Sequence, residues 1–428
     1  MAPLRGRRGI LAASTLLLLF LGLIYAYSVV LAPMKALWGW SVSQMTLVFA
    51  LSIGMFTLGG VAGARLSGRW GTWATFMAAG VLLAAGFVGC SVADGPLAFP
   101  ATCLCYCVLC ALGIGLAYDV LIAAVTEWFP DRCGLAQGIC LMGFGIGGFL
   151  LGPAVSWVYG IVEWRVVLRA LGVAFLCMLW AAGAVVVEPA GAGACAAEEG
   201  AGDGGPLVAD RRFRLLYLWL FLVCGAGMAV TGLGRELPAS LGADAVTAAF
   251  VIGFVNVGSG LGRLVGGGLA DRFGAPATIR GTSAAMVASI LALLGSLAAG
   301  SLVMQAAALF ACGFSWGVAV IMMTYVCAKV WGAAAMARNL AAVNTYSIFA
   351  SLAGSFGAGL LAQATSFSVA LGTVCALCVA GVAVGRPLGA AVAGRDDPQG
   401  AGRRDAVRAG GGDAGAVRAG DLAGRLDG

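Results

Sequence analysis

About a dozen apolar stretches of roughly 20 residues follow one another along this chain, and roughly 20 is the number an α-helix needs to cross a bilayer's hydrocarbon core. They fall near 10–31, 42–62, 74–92, 98–125, 136–158, 166–187, 213–233, 246–267, 276–297, 302–328, 339–361 and 367–385. With 61% of residues hydrophobic and 10% charged, the chain lies far from soluble composition, in which roughly a quarter of residues are charged. The pattern predicts an all-α membrane protein of twelve transmembrane helices, with the lipid bilayer as its first partner.

The formal charge of +6 is not spread over a soluble face, so it gives no nucleic-acid signal. Basic residues alternate between the ends of the spans. Arg5, Arg7, Arg8, Arg65, Arg69, Arg132, Arg211, Arg212, Arg214, Arg272, Lys329 and Arg338 fall on one side; Lys35, Arg165 and Arg235 fall on the other. The positive-inside rule then puts both termini and the long middle loop in the cytoplasm of a multi-pass cell-membrane protein. Residues 1–30 resemble a signal peptide in outline, but the apolar run is too long and lacks a convincing small-residue cleavage site, so it reads as an uncleaved first span.

The chain divides into an N-terminal six-helix bundle (1–187), a Gly/Ala/acid-rich cytoplasmic linker (188–212), a C-terminal six-helix bundle (213–386) and a low-complexity tail (387–428) expected to be disordered. The bundles repeat. A shift of 203 positions lays "LSIGMFTLGGVAGARLSGRWG" (51–71) over "FVNVGSGLGRLVGGGLADRFG" (254–274), matching Leu58, Gly59, Gly63, Leu66, Arg69 and Gly71 with Leu261, Gly262, Gly266, Leu269, Arg272 and Gly274. Internally repeated hydrophobic segments mark secondary transporters, whose sites lie near the midplane between the repeats.

The glycine run at 258–268 invites a phosphate-loop reading. A dinucleotide loop needs a preceding strand in a βαβ unit, and a phosphate loop needs a lysine after glycine; the only lysines, Lys35 and Lys329, follow Met34 and Ala328. Gly258, Gly262 and Gly266 instead recur every four residues, with Ser259 and Gly267 beside them, as a stripe that lets two membrane helices approach closely. No nucleotide or other cofactor is implied. The fourteen cysteines, including "CLCYCVLC" (103–110) and Cys375/Cys378, lie mostly within spans; with no histidine in the chain they read as small hydrophobes, not metal ligands.

Ionisable residues inside spans are costly and become functional candidates by default. Arg263 lies two helical turns before Asp271, inside the eighth span, and its repeat counterpart is Gly60. Asp119 lies two turns before Glu127 in the fourth span, and is a candidate proton carrier, gate residue or partner of Arg263. Arg169 stands near a span end, and Arg235 and Glu236 fall in an outer loop. A guanidinium stays protonated when desolvated and matches a carboxylate bidentately, which suggests an anionic substrate. Tyr25, Tyr27, Tyr118, Trp316, Tyr325 and Tyr346 are candidate linings for a small cavity.

"GGGLADRFG" (266–274) resembles the loop motif of the major facilitator superfamily, Gly-x-x-x-Asp-Arg-x-Gly, which falls on Gly267, Asp271, Arg272 and Gly274; "GARLSGRWG" keeps Arg69 and Gly71 but has Gly68 in place of the aspartate. "GLIYAYSVVLAP…WGWS" (22–41), "WFPDRCGLAQGICLMGFGIGGFLLGP" (128–153) and "NVGSGLGR" (256–263) resemble the oxalate/formate antiporter family and its monocarboxylate-transporter relatives, over roughly residues 10–385. That resemblance implies the major facilitator fold and places the substrate-binding arginine on Arg263, the helix-one tyrosines on Tyr25 and Tyr27, and a helix-ten aromatic near Trp316. Oxalate-handling members carry a helix-eleven lysine; that position falls near Ala353, and no cation occurs there.

The reading at this stage is a secondary transporter, not an enzyme, that moves a small organic anion by alternating access. A monocarboxylate such as formate or lactate is favoured over oxalate, carried by exchange or with protons, and a monomer is expected. Two alternatives stand beside it. One is an exporter of drugs or metabolites, since "LLGP" (150–153) partly resembles an exporter motif. The other is a non-transporting membrane sensor.

Overall fold

A computed structural model describes residues 6–129, 133–185 and 207–393; Arg5, Arg132, most of the linker and the tail beyond Ala393 lie outside the described residues. The regular structure there is helical. Among the described residues eleven helices are long and apolar enough to span a membrane, and one of these, Val42–Val92, is 51 residues long and broken at Gly71 (φ 84°, ψ 163°). Division at that break gives twelve spans. They are α1 (Arg7–Trp38), α2 (42–70), α3 (72–92), α4 (Gly95–Trp128), α5 (Leu135–Val158), α6 (Trp164–Ala184), α7 (Arg211–Leu233), α8 (Ala245–Phe273), α9 (Ala275–Ala299), α10 (Leu302–Trp331), α11 (Ala342–Ala364) and α12 (Phe367–Ala393). The last helix therefore runs past the expected bundle boundary at 386.

The repeat seen in the sequence is present in the backbone. Gly274, one repeat after Gly71, breaks α8 from α9 at φ 78°, ψ 153°, nearly the same conformation. That region is essentially closed to residues with a Cβ, so the shared glycine fixes the same sharp turn in both halves. The caps repeat as well: the Ser41 hydroxyl accepts from the Gln44 N–H at 3.2 Å to start α2, and the Asp244 carboxylate accepts from the Thr247 N–H at 2.7 Å to start α8.

Within the C-terminal bundle α8 lies against α10. A Cβ at Gly258 or Gly262 would strike the Phe310 or Phe314 carbonyl, and Gly313 and Gly317 make the reciprocal approach to Val255 and Ser259. This is the small-residue stripe, with Gly266 against Val318. Gly267 is not part of it, because a Cβ there meets nothing. Three seams join the bundles. Along α5 and α8, Gly145 and Gly148 face Asn256 while Gly253 faces Phe149. Between α2 and α11, Ser351 and Ser355 donate to the Ala50 and Thr46 carbonyls at 3.1 Å each, and the Thr57 and Ser347 hydroxyls meet at 2.8 Å. Between α1 and α7, the Tyr27 hydroxyl donates to the Gly232 carbonyl. Lys35 and Glu236 form an ion pair of 2.6 Å at the same end. At that end, Trp38 stacks on Trp40 at 5.7 Å and meets Trp164 edge-on at 6.0 Å, as interfacial aromatics do.

Candidate functional site

Arg263 sits in the α8 segment held fast by the glycine stripe, and is 5% exposed. One guanidinium nitrogen, Nη2, donates to the Tyr25 hydroxyl at 3.3 Å. Nε and Nη1 are buried with no hydrogen-bond partner. Among the described residues no carboxylate pairs with this cation.

Aromatic side chains from both bundles close around it. Residues Gly22–Ala26 of α1 wind as a 3-10 turn, and Gly22 is pressed so closely to the Phe144 carbonyl of α5 that no side chain would fit. That approach sets the Tyr25 ring edge-on to Phe144 at 5.2 Å and to Trp316 of α10 at 5.7 Å. Phe144 lies 4.8 Å from Tyr118 of α4, which in turn meets Phe56 of α2 at 5.1 Å. Tyr25, Tyr118 and Tyr346 of α11 are electrostatic neighbours of Arg263. Trp316 presses against Gly227 of α7, and its Nε1, which can only donate, is buried without a partner.

The site thus holds one fixed positive charge, several hydroxyls and three unpaired N–H-bearing nitrogens inside an apolar cage. An unpaired buried cation is costly, and spare donors in a low dielectric bind an anionic acceptor strongly. The arrangement suits a small organic anion with an apolar body.

Not every predicted residue joins this cluster. Tyr27 stacks on Phe49 at 5.0 Å and bonds across the α1–α7 seam. Tyr325 lies under the Lys329 ammonium, 5.7 Å from it, and is not among the neighbours of Arg263. Asp119 does not pair with Arg263; its carboxylate rests against the backbone of Gly60. Ala353 is exposed on α11, and the buried positions beside it are Ser351, Gly354 and Ser355, so no second cation enters there. Asp271, Arg272 and Arg69 make no ion pair among the described residues, and Arg272 lies 5.4 Å over its own neighbour Phe273. Arg169 donates to Ser91 at 3.0 Å.

Several site residues were not singled out from the sequence. Phe144 and Phe56 look like ordinary apolar residues in a span. Asn256 carried a signal, as a polar residue two turns from Arg263 on the same helix face. The Lys35–Glu236 pair carried one too, since Lys35 is one of only two lysines.

The comparisons with known proteins agree with the fold. A model of the Major Facilitator Superfamily matches residues 11–358, and the chain belongs to that family. It is similar to the oxalate:formate antiporter of Oxalobacter formigenes, 25% identical over 83% of this chain and 87% of that one. It is also similar to human monocarboxylate transporter 11, 29% identical over 76% of this chain and 64% of the relative. An uncharacterized MFS-type transporter of Escherichia coli K12, YhjX, is 25% identical over 74% of this chain and 79% of its own length. Among solved structures, a bacterial homolog of the human lysosomal transporter Spinster superposes with a TM-score of 0.64 at 17% identity, covering 91% of this chain and 94% of that one. The protein is a multi-pass membrane transporter of this superfamily.

Proposed function

We propose that this protein is a secondary carrier of a small organic monoanion, with Arg263 holding the carboxylate and Tyr25, Tyr118, Trp316 and Tyr346 enclosing it. The observation that carries the reading is Arg263 itself: buried, contributed by one bundle, bonded to Tyr25 of the other, and left with two unpaired nitrogens. An anion bound there touches both bundles, so its binding differs between states in which they rock apart, which is what alternating access requires. One cation favours a monocarboxylate over oxalate. The names of the oxalate:formate antiporter and of monocarboxylate transporter 11 support the same substrate class.

Asp119 is the candidate coupling residue, in a cytoplasmic membrane with both termini inside. The carrier works by exchange or by proton symport. Export of a hydrophobic cation would set like charge against Arg263. The test is uptake of labelled formate, lactate and acetate into proteoliposomes: the unaltered protein should accumulate at least one of them, and Arg263→Gln should not. Equal uptake by both would refute the reading.

A further inference from the structure

Two buried polar groups beyond the guanidinium are left unpaired on the same face of α8. The Asn256 Oδ1 and the Ser259 Oγ accept or donate no hydrogen bond, at 3% and 2% residue exposure. Three buried hydroxyls on other helices of the C-terminal bundle behave differently: Thr231, Ser283 and Ser315 each donate to the carbonyl four residues back, at 2.9, 2.8 and 3.0 Å. That ordinary solution is open to a helical serine, and Ser259 does not take it. A polar atom kept unpaired in a protein interior costs about 1–3 kcal/mol, so two such atoms beside an unpaired guanidinium point to a ligand that satisfies them all.

The geometry orders these groups. Asn256 and Arg263 are separated by two turns, about 10 Å along the axis and about 20° around it, with Ser259 between them. Tyr25 spans the interval. Its hydroxyl meets Arg263, while its Cβ and the Asn256 amide both lie against Gly148 of α5. The wall between the two ends is apolar, formed by the Tyr25 ring with Phe144 and Trp316.

We infer that Asn256 and Ser259 form a distal subsite, which takes an uncharged hydrogen-bonding group at the end of the substrate opposite the carboxylate on Arg263. This rests on the anion-carrier reading above. A hydroxyl or carboxamide fits, because each both donates and accepts and so satisfies the asparagine amide in either orientation. A second carboxylate does not fit, because the described residues offer no cation at that end. The substrate class is therefore a short carboxylate with an apolar middle and a terminal hydroxyl or amide.

Calorimetric titration of the purified full chain with two matched pairs tests this: butyrate against 4-hydroxybutyrate, and hexanoate against 6-hydroxyhexanoate. In the unaltered protein one hydroxylated acid should bind about fivefold tighter than its parent, the worth of one net hydrogen bond. Asn256→Ala should erase that preference, bringing the affinities for the hydroxylated and the plain acid together. Ser259→Ala, which leaves the Gly148 contact alone, should reduce the preference in the same direction, and it decides the matter if Asn256→Ala does not fold. A preference absent from the unaltered protein, or one that survives both substitutions, overturns the subsite while leaving the carrier reading intact. If no monocarboxylate binds, the carrier reading falls and takes the subsite with it.

Discussion

The carboxylate of Asp119 rests against Gly60, the residue that stands one repeat before Arg263. The two halves thus place opposite charges at related points: α8 supplies its own arginine, while α2 supplies a glycine and accepts an aspartate from α4. One repeat after Asp119 stands Met322, fully buried beside α8 in the other bundle. The asymmetry leaves a cation on one side of the seam and a carboxylate on the other, with no ion pair between them. Two charges held apart in this way can each be neutralised by a moving species, an anion at Arg263 and a proton at Asp119.

Asp119→Asn should accordingly separate coupling from binding. Accumulation driven by a pH gradient should fall to the level of the uncoupled leak, while exchange of labelled for unlabelled anion continues. Measurement of both in the same proteoliposomes checks the assignment, and retained gradient-driven accumulation would remove Asp119 from the coupling path. Gly60→Ala, whose Cβ collides with that carboxylate, should impair the same process.

The Lys35–Glu236 ion pair predicts a modest effect. Lys35 and Glu236 have side chains 24% and 22% exposed, so solvent screening holds their coupling to about 1 kcal/mol or less. A double-mutant cycle with Lys35→Gln and Glu236→Gln, read by thermal unfolding in detergent at low and high salt, should show that coupling and its loss at high salt.

The glycine stripe makes a sharper contrast. Gly262→Ala forces a Cβ into the Phe314 carbonyl and should cost on the order of 1–3 kcal/mol. Gly267→Ala, five residues on, meets nothing and should stay within about 0.5 kcal/mol. Thermal unfolding of the two variants side by side measures the difference.

Gly71→Ala and Gly274→Ala should each cost on the order of 1–3 kcal/mol, because both glycines hold the same positive-φ turn, one in each bundle. Unequal costs, read from the same unfolding transitions, would mean that one loop relaxes where its counterpart cannot.

What the sequence made legible follows from the kind of information each feature carries. Hydropathy and spacing located the spans, because membrane length is a one-dimensional constraint. The repeat located Gly71 and Gly274, and burial cost singled out Arg263 and Asp119. Rotation about each helix axis was not legible. Tyr25 and Tyr27 are two residues apart and point to different partners, one to Arg263 and the other into the α1–α7 seam. The local 3-10 winding at Gly22–Ala26, set by contact with Phe144, has no periodic signature. Tyr325 illustrates the same point: hydropathy placed its helix, and only the structure shows its ring 5.7 Å from the Lys329 ammonium. Asn256 and Ser259 became informative only once their hydrogen bonds could be accounted for.

The central claim is that Arg263 binds a carboxylate, and equilibrium binding tests it more directly than transport, which also requires the bundles to move. Titration of the purified protein with formate, acetate, lactate and butyrate should show saturable binding of at least one. Arg263→Gln should weaken that binding at least about thirtyfold, as expected when one partner of a buried charge pair is removed. Binding of the same anion with equal affinity by Arg263→Gln would contradict the account.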